Sequence, residues 1–517
     1  FLPLVLGLMG LFFQYSKNRG DFFVVLMLFF MTGLAIVLYL NQYPLQPRER
    51  DYAYAASFYA FAIWVGLGFM AVVESFPSRF KQSVPAVAAA LVLLLTVPLR
   101  MAAQNWDDHN RSGRTFCRDF GANYLESCAP NAVIFTNGDN DTFPLWYAQE
   151  VEGVRTDVRV VNLSYFMADW YIEQMQRKAY ESDPLIFSLK PEQFQTGKRE
   201  TLEVFPVTDA FTELKMAIDF VASDDPKTKT IPGVAEKVEY FPVRNLKISI
   251  DSTAVMASGT LTPQQAPLML KSMNWTLPQD QPMYGGRLLL KSSFMLLDLL
   301  ANNNWKRPLY ISTTVADENY LGLQNFFQVE GLAYRIVPIE TPRDSVTGDL
   351  GRVNTEVMYN NLMHKFAWGG IEGDVYIDET VSRLVSNARN WFSRLAEALI
   401  DEGDNEKALE VLDRSLALFP SSKVPYNFLT PLMIEQYYRA GAIEKGNEIV
   451  AEMIRETSLE LAYYSRFTRV LAPTVDRDRR IAFYVLNALA EVAQKYQQDA
   501  HYKEIEKIFE MFYTTIN

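Results

Sequence analysis

Residues 132–163 read AVIFTNGDNDTFPLWYAQEVEGVRTDVRVVNL, and this stretch decides the fold of the region around it. Two short apolar runs flank a polar turn and a helical segment. In chain order the pattern predicts a strand at 132–136, a turn at 137–142, a helix at 143–151 with Pro144 in its first turn, and a strand at 158–163. Two strands joined by a helix form a βαβ unit, so the fold class predicted here is α/β.

The neighbouring sequence extends this unit into a soluble α/β domain over residues 105–345. Periodicity predicts two more helices, at 167–178 and 292–303, and three more strands, at 246–250, 308–313 and 333–338. Polar residues at helical spacing between Asn105 and Ser127 predict an amphipathic helix that leads into the domain. Apart from the strand at 246–250, residues 191–282 show no clear periodicity, and no role is assigned to them.

The turn NGDNDT (137–142) follows the carboxyl end of the first strand, where open α/β sheets bind their ligands. Asp139, Asn140 and Asp141 are therefore candidate site residues. Asp139 and Asp141 form a D-x-D pair, a pattern that can hold a divalent cation and a diphosphate, as in nucleotide-sugar transferases. The alternative is structural, because Asp, Asn and Gly also form turns and N-caps. We assign no metal site to this turn.

The sequence before residue 104 is dominated by apolar runs. Three of them, 22–40, 53–73 and 84–103, are nearly free of charge and have the length that crosses a hydrocarbon core of about 30 Å. A fourth, 1–13, is too short to span alone, and the start of the chain lacks the basic residues of a signal peptide. Residues 1–104 are therefore predicted to be the last three or four helices of a larger polytopic bundle.

The basic residues of the short loops predict the orientation of these helices. The first and third loops carry Lys17, Arg19, Arg79 and Lys81, whereas the second loop carries Arg48 and Arg50. Because basic loops favour the cytoplasm, the second loop and everything after Ala103 are expected on the outer face. The predicted location is the cytoplasmic membrane, with the C-terminal domains in the periplasm.

The second loop, residues 41–52, reads NQYPLQPRERDY. Two prolines stiffen it, and Tyr52 suits the headgroup level of a bilayer. Arg48 and Arg50 are candidate ligands of a lipid phosphate, because a guanidinium group binds phosphate oxygens in a bidentate way. The alternative is that both arginines pair with Glu49, Asp51 or lipid headgroups.

The sequence from residue 378 to the end is helical in pattern and follows a linker predicted at 346–377. Its apolar and turn positions match helix-turn-helix repeats of the tetratricopeptide type. A first unit is indicated by Phe392, Leu395, Ala396, Leu399, Gly403, Asp404, Ala408, Leu412 and Pro420, a second by Tyr437, Gly441, Gly446 and Val450, and a last helical pair by residues 480–513. We expect this array to pack against the α/β domain, with a peptide-binding groove as the alternative.

The charge and the Cys and His content argue against several classes of protein. A formal net charge of -12 and a pI near 5.0 are unlike those of a nucleic-acid binder, which needs a basic surface. Cys117 and Cys128 are too few for a disulfide framework and are expected to be free thiols. His109, His364 and His501 are scattered singly, which argues against a His-rich metal site.

Two long segments carry a resemblance to a known family. They are NQYPLQPRERDYAYAASFYAFAIWVGLG (41–68) and VIFTNGDNDTFPLWYAQEVEGVRTDVRVVNLSYFMADWYI (133–172). Through them, residues 1–370 closely resemble the C-terminal half of the DUF2723 family. Members of that family are large membrane proteins of Bacteroidetes, similar to protein O-mannosyltransferases of the GT-C class.

The resemblance implies the end of a GT-C-like membrane bundle in an enzyme that moves a mannose-like sugar. The donor would be a polyprenyl-phosphate sugar, and the acceptor would be a protein on the periplasmic face. Asp139, Asn140 and Asp141 are then expected in an outer loop near the membrane-embedded site, in contact with the acceptor. No cofactor is expected beyond the lipid-linked donor, although some GT-C enzymes use a divalent ion. The expected catalytic carboxylate lies upstream of Phe1, so no catalytic residue is named.

Two other functions remain open. In the first, the helices anchor a scaffold whose α/β and tetratricopeptide-like regions bind envelope or secreted proteins without catalysis. In the second, the D-x-D turn faces the cytoplasm and serves a nucleotide-sugar transferase. The expected partners are membrane lipids, the lipid-linked donor, a protein acceptor and a protein bound by the helical array, with no nucleic acid.

Overall fold

The computed structural model describes residues 1–42, 50–75, 84–230, 237–278, 288–345, 347–467 and 469–516. The chain divides into two compact units, Phe1–Ser112 (unit 1) and Gly113–Asn517 (unit 2). The predicted membrane region belongs to unit 1, and most of the predicted α/β region and all of the helical array belong to unit 2. A finer division of unit 2 at residues 346–377 stays a prediction.

Unit 1 is mostly helical in its described part. Its helices are α1 Leu2–Lys17, α2 Arg19–Thr32, α3 Leu34–Leu40, α4 Ala55–Ser75 and α5 Val84–His109, with a 3-10 turn at Asp51–Tyr54. Two stretches, Arg19–Leu40 and Asp51–Ser75, are long and apolar enough to cross a membrane, and most of their residues are not buried. They correspond to the spans predicted at 22–40 and 53–73. The span predicted at 84–103 lies within α5 and stays a prediction.

Glycines allow α1 and α4 to approach each other closely. A Cβ atom at Gly10 would lie 1.8 Å from the carbonyl oxygen of Trp64, and one at Gly68 would lie 1.9 Å from that of Leu6. The Trp64 Nε1–H group donates a hydrogen bond of 2.7 Å to Gln14 Oε1. Small residues that bring backbones together, reinforced by a hydrogen bond between helices, are typical of association in lipid, where apolar burial supplies little driving force.

An ion pair joins the ends of these two helices, because Lys17 Nζ lies 2.5 Å from Glu74 Oε2. Gly10 on α1 contacts Trp64 on α4, and Lys17, later on α1, contacts Glu74, which is also later on α4. Helices α1 and α4 therefore run parallel. It follows that the segments after them, the first and third predicted loops, start at the same end of unit 1.

The described part of unit 2 contains three sheets. Its described strands are β1 Val133–Thr136, β2 Arg159–Asn162, β3 Thr201–Val204, β4 Thr212–Glu213, β5 Tyr240–Phe241, β6 Asn245–Ser249, β7 Ser272–Thr276, β8 Leu288–Leu290, β9 Leu309–Ser312, β10 Phe327–Val329, β11 Ala333–Ile336 and β12 Arg352–Val353. The main sheet has the order β12-β10-β11-β9-β1-β2. Strand β1 is parallel to β2 and β9, whereas β11 is antiparallel to β9 and β10. Every residue of β1, β2, β9 and β11 is buried, as expected for a sheet that helices cover.

Four of the predicted strands belong to this main sheet. Strands β1, β2, β9 and β11 fall where the sequence pattern predicts them. The strand predicted at 246–250 exists as β6, but it lies in a separate small sheet of order β4-β6-β7. The other small sheet has the order β5-β3-β8. The region 191–282, to which the sequence assigns almost no structure, thus contributes most of the strands of both small sheets.

The helices of this part of unit 2 are α6 Phe116–Glu126, α7 Asp139–Glu150, α8 Asp169–Met175, α9 Pro191–Phe194, α10 Leu214–Ala222, α11 Ser252–Ala257, α12 Lys291–Asn303 and α13 Thr355–Asn360. Two expectations are corrected. Helix α7 begins at Asp139, not at residue 143, so Pro144 lies beyond its first turn. The amphipathic helix expected between Asn105 and Ser127 is interrupted, because α5 ends at His109 and Gly113 takes a φ of +70° before α6 begins.

The C-terminal part consists mainly of helices that follow one another through short connections. They are α14 Glu379–Asp401, α15 Asn405–Leu418, α16 Thr430–Arg439, α17 Ile443–Tyr464, α18 Asp476–Lys495 and α19 Asp499–Ile516. Leu395 and Ala408 are fully buried, as their predicted packing roles require. Gly403 and Gly441 occupy the turns with φ of +86° and +87°. Helix-turn-helix pairs are therefore present, while their assignment to the tetratricopeptide type stays a prediction.

The segment 346–377 contributes more than a connection. It contains β12 and α13, and Trp368 packs its ring 5.6 Å from Phe392 and 5.2 Å from Phe419. These contacts join the segment to α14 and to the end of α15. The helical array and the main sheet accordingly share one hydrophobic core.

We predict that Gly10→Ala destabilises unit 1, because its new Cβ would push α1 away from the Trp64 carbonyl. The matched control is Gly66→Ala on α4, where a Cβ has nothing within 4 Å and alanine favours a helix. Overpacking should cost about 1–3 kcal/mol in the first variant. Thermal unfolding of the detergent-solubilised protein measures the difference, and equal melting temperatures for both variants would contradict the close packing of α1 and α4.

Candidate functional site

The carboxylate of Asp141 closes the turn that follows β1. Its Oδ2 accepts hydrogen bonds from the Asn137 N–H group at 3.0 Å and from the Thr314 hydroxyl at 2.8 Å, and its Oδ1 accepts one from the Gly138 N–H group at 2.8 Å. Asp141 is also the third residue of α7, so a negative charge lies at the positive end of that helix. Because Thr314 follows β9, this carboxylate joins the carboxyl ends of two adjacent strands.

A buried polar cluster lies beneath the turn. The hydroxyl groups of Thr136 and Thr142 are 2.7 Å apart, and Asn162 Nδ2 donates to the Thr142 hydroxyl over 2.8 Å. Asn162 Oδ1 accepts from the Tyr165 N–H group at 3.0 Å, and the Asn162 N–H group donates to the Tyr171 hydroxyl at 2.9 Å. Burial raises the pKa of Tyr171 to about 12, so its hydroxyl stays protonated. The cluster fixes the backbone that leaves β2.

Asp139 and Asn140 are exposed on the first turn of α7. The two carboxylates of the D-x-D pair therefore differ, because Asp141 is occupied by internal hydrogen bonds and Asp139 faces solvent. Among the residues that the structure describes, no group of three or more His, Cys, Asp or Glu could hold a metal ion. The geometry supports the turn and capping alternative for Asp141. A contact of Asp139 or Asn140 with an acceptor stays a prediction.

Four aromatic side chains form a continuous row beside this turn, and we call Phe143, Trp146, Tyr165 and Trp170 the aromatic row. The ring centroids of Phe143 and Trp146 are 5.5 Å apart, those of Trp146 and Tyr165 are 6.1 Å apart, and those of Tyr165 and Trp170 are 6.2 Å apart. Phe143 is 45% exposed and Trp170 is 56% exposed. Sequence patterns predicted neither the row nor a role for its members. Their only local signal is the three-residue spacing of Phe143 and Trp146 on α7.

Hydrogen bonds hold each end of the row in place. Asp141 fixes the start of α7, which carries Phe143 and Trp146. At the other end, Asp169 Oδ1 accepts from the Trp170 N–H group at 2.7 Å, and its Oδ2 accepts from the N–H and hydroxyl groups of Thr196, both at 3.0 Å. These bonds, above all that from the Thr196 N–H group, lower the pKa of Asp169. The row is therefore a built surface and not a chance exposure of separate rings.

The phosphate-binding loop predicted in unit 1 is described only in part, because Arg48 and Glu49 lie outside the described residues. Arg50 immediately precedes the 3-10 turn Asp51–Tyr54, and its carbonyl oxygen accepts from the Ala53 N–H group at 2.9 Å. Arg50, Asp51 and Tyr52 are all exposed. The Arg50 side chain forms no ion pair within the described part of the chain. Its binding of a phosphate stays a prediction.

The two cysteines are free thiols, as the sequence predicted. Cys117 lies exposed on α6, whereas Cys128 is buried beside β1. Burial raises the pKa of the Cys128 thiol well above its ordinary value, which makes it unreactive. The pair therefore offers one accessible and one protected thiol in the same unit.

Part of unit 2 matches a known protein family. Residues 117–357, just under half of the chain, match the family described as TMEM260-associated domain 2. This range contains all the strands of the main sheet, from β1 to β12, together with the aromatic row. No curated protein and no solved structure matches the chain.

We predict that Asp141→Ala destabilises unit 2 by about 1–3 kcal/mol, because three donors would lose their shared acceptor. The control is Asp139→Ala on the same turn of the helix, where an exposed substitution should change stability by less than about 0.5 kcal/mol. Thermal unfolding, monitored by the rate at which the Cys128 thiol becomes accessible to a thiol reagent, measures the stability of both variants. Equal destabilisation by the two substitutions would show that Asp141 does not hold the turn.

Proposed function

We propose that the chain is the C-terminal part of an integral membrane glycosyltransferase. It moves a mannose-like sugar from a polyprenyl-phosphate donor to proteins on the periplasmic face. The observation that carries this proposal is the match of residues 117–357 to the TMEM260-associated domain, since TMEM260 is itself considered a protein O-mannosyltransferase. The two apolar stretches of unit 1, Arg19–Leu40 and Asp51–Ser75, support a membrane location.

The proposed phosphate ligands are Arg48 and Arg50, with Glu49, Asp51 and Tyr52 as the supporting loop. Arg50 lies directly before an apolar stretch long enough to span a membrane, and it is exposed. A guanidinium group at such a position can form charge-assisted hydrogen bonds with the donor phosphate or with the departing polyprenyl phosphate. The arginines would bind and orient the lipid, and no proton transfer is assigned to them.

The arrangement of α1 and α4 supports the proposed orientation. The Lys17–Glu74 ion pair lies at the end where the first and third loops begin. If that end faces the cytoplasm, as its basic residues favour, the loop with Arg50 faces outward. The C-terminal unit would then lie in the periplasm, where protein acceptors are available and nucleotide sugars are not.

The alternative function is a membrane-anchored scaffold that binds envelope or secreted proteins without catalysis. A cavity of about 470 Å³ favours it, because its walls include Asn390, Arg394, Glu397 and Arg439 on α14 and α16. Part of the hydrogen-bonding capacity of this cavity wall is already used within the chain, since Arg394 donates to the carbonyl oxygen of Leu350 over 2.7 Å. The scaffold therefore remains the second candidate.

The orientation is tested with the native thiols. A membrane-impermeant maleimide should label Cys117 in intact spheroplasts, because its thiol is exposed and unit 2 is expected outside. Cys128 should react only after denaturation, and Cys117→Ser should abolish the native labelling. Labelling of Cys117 that requires permeabilised membranes would place unit 2 in the cytoplasm and favour the nucleotide-sugar alternative.

The transfer function is tested in the complete protein with a polyprenyl-phosphate mannose donor and a protein acceptor. Arg48→Gln and Arg50→Gln should each lower donor affinity or turnover roughly ten- to a hundredfold, the effect of losing one charge-assisted hydrogen bond. The corresponding Lys variants should recover only part of the loss, because lysine keeps the charge without the bidentate geometry.

The matched control is Arg19→Gln, which removes a basic residue from the first loop and should leave transfer unchanged. Absence of transfer by the wild-type protein, with matched expression, would favour the scaffold. Near-normal donor affinity and turnover in both Gln variants would leave the arginines as partners of lipid headgroups or of Glu49 and Asp51.

A further inference from the structure

We propose that the aromatic row of unit 2 binds a neutral, hexose-containing glycan by stacking against its sugar rings. The proposal concerns unit 2 alone and is independent of whether unit 1 transfers a sugar. It rests on three observations: the geometry of the rings, the charge of the surrounding residues and the rigid support of the row. No role for these four residues follows from the family match or from the proposed phosphate site.

The rings form a stepped platform. The planes of Trp146 and Tyr165 are only 11° apart, and those of Phe143 and Trp146 are 27° apart. Nearly parallel rings whose centroids are 5.5–6.1 Å apart are offset sideways and cover one another only in part. Phe143 and Trp170 are exposed at the ends of the row, and Trp146 and Tyr165 between them are half-buried. The C–H face of a pyranose ring is flat and weakly positive, and it is therefore complementary to the negative face of an aromatic ring.

The orientation of the rings argues against a cation as the ligand. A quaternary ammonium group is bound by rings that surround it and direct several faces to one point. Here the planes of Phe143, Trp146 and Tyr165 are within 27° of parallel from one ring to the next, and only the Trp170 plane is strongly tilted, by 46° to Tyr165. A row of this shape fits an extended chain of rings better than a compact charge.

The charge of the surrounding residues argues against an anionic ligand. Helix α7 and residues 164–175, which together carry the row, contain Asp139, Asp141, Glu150, Asp169 and Glu173 but no Lys, Arg or His. The ammonium group of Lys291, which contributes to the lowered pKa of Asp169, is buried and paired with Glu200 over 2.8 Å. An anionic lipid surface is attracted by basic residues, and a donor phosphate needs them as well. Their absence from both segments disfavours a phosphate-bearing lipid and leaves a neutral glycan as the best match.

The polar residues at the edge of the row can recognise hydroxyl groups. Asp139 and Phe143 are four residues apart on α7, and Trp146 is three residues further, so all three lie on one face of the helix. Asp139 and Asn140 are exposed beside the first ring. A carboxylate can accept hydrogen bonds from sugar hydroxyls, and an amide can both donate and accept. A hexose presents a flat apolar C–H face and polar hydroxyl groups at its edge. The aromatic faces match the C–H face, and the polar groups beside them match the hydroxyl groups.

The backbone that carries the rings is held before any ligand binds. The Trp170 N–H group bonds to Asp169, and the Tyr165 N–H group bonds to Asn162. Phe143 and Trp146 belong to a helix whose start Asp141 holds. Because the backbone is already ordered, binding costs less conformational entropy than binding to a flexible loop would.

The proposal is tested with the whole chain in phosphatidylcholine nanodiscs and with mannotriose, maltotriose and cellotriose as probes. Tryptophan fluorescence and saturation-transfer NMR should show saturable binding of at least one of the three. Phe143→Ala and Trp170→Ala should each weaken that binding roughly three- to tenfold, the loss expected for one aromatic contact. Trp170→Phe should retain most of the affinity, because it keeps a ring at this position.

The matched control is Tyr484→Ala, which removes an aromatic residue that is 59% exposed on α18, away from the row in sequence and fold. It should bind the probes as the wild-type chain does. Continued protection of Cys128 from thiol reagents shows that each variant keeps unit 2 folded. This readout separates the loss of a binding surface from the loss of the fold.

Several results would overturn the proposal. One is the absence of saturable binding of all three trisaccharides, and another is unchanged affinity in both Ala variants. Saturable binding of choline at these rings without oligosaccharide binding would identify a cation site. Quenching by brominated phosphatidylcholine that disappears in Trp170→Phe would place the row in lipid. Transfer activity in unit 1 is not assayed in any of these experiments, so their failure does not bear on the proposed transferase.

Discussion

The carboxylate of Asp141 is the constraint on which the candidate site depends. It is the common acceptor for the two backbone N–H groups of the turn and for the hydroxyl of Thr314. It is also nine-tenths buried, so a lost partner could not be replaced easily by water. The hydrogen bonds of this one carboxylate fix the end of β1, the start of α7 and the end of β9 relative to one another. The positions of the side chains on α7, including Asp139, Phe143 and Trp146, depend on that arrangement.

A second polar side chain, at the end of β2, fixes the segment that follows this strand. Asn162, the last residue of β2, bonds to Thr142 on one side and to the backbone of Tyr165 on the other. Helix α7 and the segment after β2 are therefore both fixed to adjacent, parallel strands that are themselves fully buried. Trp146 and Tyr165 can stack because both are fixed to those strands. The result is a wide aromatic surface at the carboxyl edge of the strands, where α/β proteins commonly bind ligands.

The sequence predicts the parts of this arrangement that depend on local pattern. Short segments rich in apolar and β-branched residues identify β1, β2, β9 and β11, and the long periodic segments identify α12 and the C-terminal helices. Strands such as β4, β5 and β12 have only two residues, which is too short for any periodicity to show. The sequence predicts the start of α7 four residues late, because Asp139, Asn140 and Asp141 are also typical turn residues, whereas in the structure Asp141 accepts from the Asn137 and Gly138 N–H groups and caps the helix. The aromatic row was missed because Trp146 and Tyr165 meet only through the pairing of β1 with β2.

Electrostatics explains why phosphate recognition and sugar recognition would be separated in this chain. A phosphate group needs cationic side chains, and the candidate cations, Arg48 and Arg50, belong to unit 1. A neutral sugar needs flat apolar faces and hydroxyl partners, which the aromatic row and Asp139 offer in unit 2. The carboxylates around the row would repel a phosphate, and arginines placed among them would pair with those carboxylates and lose their free donors. Under the two proposals, a phosphate and a neutral glycan would bind to separate surfaces of opposite chemistry, which would avoid that conflict.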